Sequence, residues 1–132
     1  MNGEVIILTG PPAAGKTTVA GLLATDASSP TVHLTTDLFY RSIRTGFVLP
    51  FLPAAQRQNE VVIDAIVGTV TTFARGGYDV VVDGIIGPWF LPPFRAAAAN
   101  GGLTHPRVQR SGRVSSTFAN GCCRPRRARV AY

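Results

Sequence analysis

The chain has 132 residues, room for one domain, and carries 13 basic against 7 acidic side chains, a net charge of +6. That charge is local: residues 1–99 sum to −1, whereas residues 100–132 hold seven Arg and no acid, so the basic balance describes a tail and not the body of the protein. No apolar run approaches the roughly 20 residues of a membrane span. No basic leader with a cleavage site opens the chain, and adjacent Cys122 and Cys123 offer neither a disulfide frame nor a zinc site, so a cytoplasmic protein is expected.

In chain order, EVIILTG (4–10) is a continuous apolar run ending in Gly, the pattern of a strand buried on both faces. GKTTVAGLLATD (15–26) predicts a helix with Val19, Leu22 and Leu23 on its apolar face. TVHLTT (31–36) is a second strand, after which Asp37 caps a short helix ended by Gly46. FVLPFLP (47–53), with two Pro, reads as a loop or cover segment. The next segment, 54–77, reads as a long helix with Val62, Ile66, Val70 and Phe73 on one face and Gly76–Gly77 as its stop. YDVVVDG (78–84) is a third buried strand, IIGPWFLPPF (85–94) a loop, and RAAAAN (95–100) the start of another helix.

Strands alternating with helices predict a parallel sheet covered on both faces, an α/β protein with three α/β/α layers and three clear strands. The apolar count falls with the charge break. Large apolar residues number 36 in positions 1–99 and 6 in positions 100–132. The expected organisation is therefore a nucleotide-binding domain over 1–99 and a weakly ordered, Arg-rich tail over 100–132, with no strand pattern in the tail.

The chemistry gathers around the chain's single lysine. Gly10 to Thr17 match G-x-x-x-x-G-K-[ST], with a strand before and an amphipathic helix after, the context this phosphate-binding loop requires. Backbone N–H groups over 13–18, including those of Ala13, Ala14 and Gly15, cradle phosphate oxygens, helped by the positive end of the helix dipole. Lys16 sets a mobile point charge on the outer phosphates, and Thr17 offers its hydroxyl to Mg²⁺.

Asp83 ends the third strand at the edge where ligands bind in an open parallel sheet, so it reads as a Walker-B-type acid beside Thr17 if the first and third strands are neighbours. Asp37 ends the second strand at the same edge. It has two readings, a base for a substrate hydroxyl or a helix cap. Arg41 and Arg44 are candidates for holding substrate or phosphate, or a solvated face. Trp89 and Phe90 wall a small-molecule pocket or cover the core. His33 reads as a packed strand histidine, and His105 carries no signal.

VIILTGPPAAGKTTVAGLLA, VHLTTDLFYRSIRTGF and ARGGYDVVVDGIIGPWFLPPFR resemble the small P-loop kinases, and within them the chloramphenicol phosphotransferase-like group and the AAA-type ATP-binding proteins beside it, over about residues 4–99. Gluconate kinases and zeta toxins are more distant relatives. The resemblance implies a five-stranded parallel sheet, ATP with Mg²⁺, and phosphorylation of a small hydroxylated compound. It also implies that Gly15, Lys16, Thr17 and Thr18 bind phosphates and Mg²⁺, that Asp37 is the base and that Asp83 is the strand-end acid. The kinases of this group continue with a fourth strand, an Arg-bearing lid and a fifth strand, none of which 100–132 shows. The expectation is a truncated or frame-shifted end, with a catalytically impaired nucleotide-binding module as the alternative to a phosphotransferase. Specific nucleic-acid recognition by RPRRAR (124–129) is not expected, because no aromatic side chain is interleaved.

Overall fold

In the computed structural model, which describes residues 2–10, 15–84, 90–103 and 106–110, the run VIILT forms strand β1 (Val5–Thr9). It is followed by α1 (Lys16–Thr25), β2 (Thr31–Thr35), α2 (Thr36–Arg41), a 3-10 turn (Pro53–Ala55), α3 (Gln56–Arg75), β3 (Asp79–Gly84), α4 (Leu91–Ala99) and β4 (Arg107–Arg110). Among the described residues the four strands pair in parallel in the order β2-β3-β1-β4. The chain therefore reverses direction across the sheet at β1, and the crevice at the carboxyl ends of β1 and β3 is where an open α/β sheet takes a ligand.

The period of two in each strand builds the three expected layers. Val5 and Ile7 of β1 and Val80 and Val82 of β3 pack with Val62, Ile66 and Val70 of α3 and Phe94 of α4 in one core. The alternate residues Ile6, Leu8 and Val81 pack on the other face against Val19, Ala20 and Leu23 of α1. Asp83 continues the register of Val81, so the strand that builds both cores also carries a carboxylate to the α1 face at its end.

Several expectations are corrected. Residues 107–110 form strand β4 although the sequence shows no strand pattern there. Among the described residues β4 lies at the edge of the sheet, held by its backbone register with β1 (Ile6↔Arg107 to Thr9↔Arg110) and by an Arg107–Glu4 ion pair of 2.9 Å, with Val108 exposed. The helix expected to start at Arg95 starts at Leu91 and ends at Ala99, because Pro92 and Pro93 occupy its first turn, where a missing N–H costs no hydrogen bond. Leu22 faces solvent, and Ala20 holds the buried position of α1 instead. Phe73 turns outward and packs edge-to-face on Tyr78, their centroids 5.8 Å apart, while Ile63 and Ala74 complete the buried face of α3. Residues 47–52 of the expected 47–53 loop are a loop and Pro53 opens the 3-10 turn, but Phe47, Leu49, Phe51 and Leu52 are exposed and do not act as cover.

The junction between β3 and α2 depends on a glycine. A Cβ on Gly84 would lie 1.8 Å from Oγ1 of Thr36, a buried β-branched side chain with little room to turn. Gly84→Ala should therefore lower stability by about 1–3 kcal/mol through overpacking. Gly68→Ala, at an open position in the middle of α3, should raise it by about 0.5–1 kcal/mol. Urea denaturation of the two variants checks both signs.

Candidate active site

Gly15 closes the loop between β1 and α1. Its backbone is left-handed (φ 76°, ψ 15°), and a Cβ there would meet nothing within 4 Å, so the φ angle and not crowding demands glycine. That turn starts α1 with the first intrahelical bond, from Val19 N–H to Gly15 C=O at 3.0 Å. It leaves the N–H groups of the first turn without intrahelical partners, a site suited to anions. Lys16, the first residue of α1, is buried, and its Nζ donates to the Gly10 carbonyl at 3.0 Å, so the ammonium folds back toward the end of β1. Thr17 and Thr18 lie exposed on the same turn. Ala13 and Ala14 lie outside the described residues.

β3 lies next to β1, and this brings Asp83 to Thr17 as the sequence reading required. Thr17 Oγ1 donates to Asp83 Oδ1 at 3.4 Å, a long hydrogen bond. Asp83 is 1 % exposed. Its second oxygen, Oδ2, meets His33 Nε2. The sequence reading of His33 as a packed strand histidine missed this contact. The signal that finds it is the sheet register. His33 stands beside Val81, so it shares the α1 face with Val81 and Asp83, but this is visible only once β2 is known to neighbour β3.

Asp37 is the second residue of α2, not its cap. Thr35 occupies the cap position, which removes the capping explanation for this acid. Because Thr35 is in register with Asp83, Asp37 follows the carboxyl end of β2 at the same sheet edge. Its Oδ2 accepts from Arg41 Nε at 2.8 Å, both side chains being exposed. α2 ends at Arg41, so Arg44 lies beyond the helix and does not share a face with it. α2 is tied to α3 by Tyr40, whose hydroxyl donates to Asn59 Oδ1 at 3.1 Å; burial raises the phenol's pKa above its ordinary value. Asn59 also donates to the Pro50 carbonyl, and Gln58 holds both backbone groups of Val48, so the loop before α3 is clamped from the helix itself. Trp89 lies outside the described residues, and Phe90 is buried in the α3–α4 core. A cleft of about 430 Å³ between α4 and β4, lined by Leu91, Arg95, Ala99, Pro106 and Val108, shares none of these site residues.

Residues 3–91, two thirds of the chain, match the family described as chloramphenicol phosphotransferase-like protein. The chain belongs to that family. Among solved structures it is similar to the APS kinase CysC of Mycobacterium tuberculosis, at 20% identity and a TM-score of 0.58 over 83% of this chain and 73% of that one. It is also similar to a kinase candidate from Chloroflexus aurantiacus, at 23% identity and a TM-score of 0.64 over 83% of this chain. The chain spans 59% of that relative's length. At these identities the likeness shows the fold, that of P-loop kinases. No curated protein matches the sequence. Among the described residues no helix is long and apolar enough to cross a membrane.

The Asp37–Arg41 pair is a solvent-exposed i,i+4 contact. Asp37→Ala should therefore change folding stability by less than about 0.5 kcal/mol, measured by urea denaturation.

Proposed function

We propose that this family member transfers the γ-phosphate of ATP to a hydroxyl of a small molecule with Mg²⁺, in the cytoplasm where the nucleotide is found. The observation that carries the reading is the meeting of Thr17 and Asp83 at the N-terminus of α1, one residue from the buried Lys16. A hydroxyl and a carboxylate at the first turn of a helix suit Mg²⁺, which binds through one or two carboxylates and substrate phosphates and keeps several waters. When bound, Mg²⁺ would neutralise charge on the phosphates.

The chain's own groups supply the rest. The loop and α1 hold the phosphates by backbone N–H groups, and Lys16 exchanges the Gly10 carbonyl for the outer phosphate oxygens. The acceptor oxygen bonds to the γ-phosphorus as the bond to the bridging oxygen breaks. ADP leaves with that electron pair. The acceptor's proton passes to the Asp37 carboxylate. Most of the acceleration comes from positioning and charge stabilisation, since phosphoryl transfer asks little covalent chemistry of the protein.

Calorimetric titration with Mg-ATP tests the donor, and a screen of hydroxylated acceptors tests the transfer. Lys16→Ala should reduce turnover about 100- to 1000-fold, and Asp37→Asn about 100-fold or more. Full activity in the Lys16 variant would overturn the reading. Binding of ATP without transfer to any acceptor would leave a nucleotide-binding module in its place.

A further inference from the structure

The two oxygens of Asp83 are divided between two elements: Oδ1 faces Thr17 of α1, and Oδ2 faces His33 of β2. We infer that His33 is a positioning residue for the nucleotide site, fixing the plane of the Asp83 carboxylate so that Oδ1 is the oxygen presented to Thr17 and the cation. The inference rests on the reading of the site as one for Mg-ATP.

The argument begins with rotation. The carboxylate torsion of an aspartate is broad and nearly two-fold, so strand geometry fixes where Asp83 sits but not how its oxygens are turned. The contact to Thr17 is long, 3.4 Å, and holds that plane weakly. The contact to His33 completes the fixation, from the middle of a strand whose own position is set by five registered pairs with β3. An ionised carboxylate can only accept, so Nε2 is the ring nitrogen that carries the proton toward Oδ2. Asp83 is nearly sealed from solvent and His33 only partly exposed, so water is a poor substitute for the imidazole on that side. Groups that orient a metal ligand from behind typically change metal affinity 10- to 100-fold when removed.

Two substitutions separate this role from packing. His33→Leu keeps the bulk of the ring and removes the donor, and His33→Gln keeps a donor. ATP binding is measured by calorimetry without metal and then across a Mg²⁺ titration. In His33→Leu, the Mg²⁺ concentration for half-maximal tightening of ATP binding should rise at least tenfold. Metal-free ATP affinity should stay within about twofold, because the phosphate loop is untouched. His33→Gln should restore the Mg²⁺ requirement to within about threefold of the wild type. An unchanged Mg²⁺ requirement in the Leu variant, or equal loss of metal-free and Mg²⁺-dependent binding, overturns the inference while leaving the nucleotide site standing. If the Leu variant does not fold, a Gln variant displaced tenfold or more overturns it just as well. Wild-type protein that binds no ATP overturns the nucleotide reading itself, and this inference with it.

Discussion

Asp83 brings a carboxylate to a place that water barely reaches, and a charge there is tolerable only when both oxygens have donors. The donors come from α1 and β2, so the acid is satisfied only if both stand correctly against β3. β3 can meet both because it runs between β1 and β2, and because its alternation gives Val80 and Val82 to one core while Val81 and Asp83 face the other side. The same strand thus carries the apolar contacts that make the sheet and the polar group that makes the site. The turn at Gly15 completes the arrangement by starting α1 where Thr17 can reach the strand end.

Most of this order was legible because the signals are local. A loop of the form G-x-x-x-x-G-K-T between an apolar run and an amphipathic segment specifies strand, turn and helix within about a dozen residues. The runs VIILT and DVVVDG are apolar enough to declare strands buried on both faces. What escaped is what depends on a neighbour. RVQR has one apolar residue in four and becomes a strand because β1 offers an open row of backbone groups and Glu4 offers Arg107 a partner. Its side chains need not be apolar, since the backbone pairing with β1 is what makes the strand. LPPF looked like a loop because Pro breaks helices, yet at the first turn it starts one. His33 could not be joined to Asp83 from sequence, because strand order is not written in the spacing between residues fifty positions apart.

The opposite edge of the sheet is fastened by a different acid. Asp79, at the start of β3, accepts the Glu4 backbone N–H at 2.6 Å and the Ser29 hydroxyl, so β1, the turn into β2 and β3 are tied together at their amino ends. Its neighbour Glu4 pairs with Arg107 and brings β4 into the same cluster. With the amino ends held there and the hydrophobic cores between, the carboxyl ends keep their relative heights, and those heights decide whether Thr17 and His33 meet Asp83. The precision of the site is therefore borrowed from polar contacts at the far edge.

Asp83 stands at the end of β3 and Asp37 just past the end of β2, yet their surroundings differ as much as those of any pair of carboxylates on one sheet edge can. Asp83 is buried and bonded on both oxygens, fit to hold charge in one orientation. Asp37 stands exposed on a helix whose start is fixed by the Thr36–Gly84 approach and whose far side is tied through Tyr40 to Asn59. Its bond to Arg41 is the kind that solvent weakens to a fraction of a kcal/mol, about 0.3–0.5 for an i,i+4 pair, so the helix holds the carboxylate in place by a contact that is readily exchanged. In the proposed transfer, an acid that takes up a proton would use that freedom, and an acid that keeps a cation oriented would need its opposite. Contrasting environments of this kind are how one fold gives like acids different roles. Here the difference in surroundings follows from one difference between the strands: β3 runs on beneath α1, whereas β2 gives way at once to a short helix that packs on α3 through Phe39 and Tyr40 and leaves Asp37 on its exposed side.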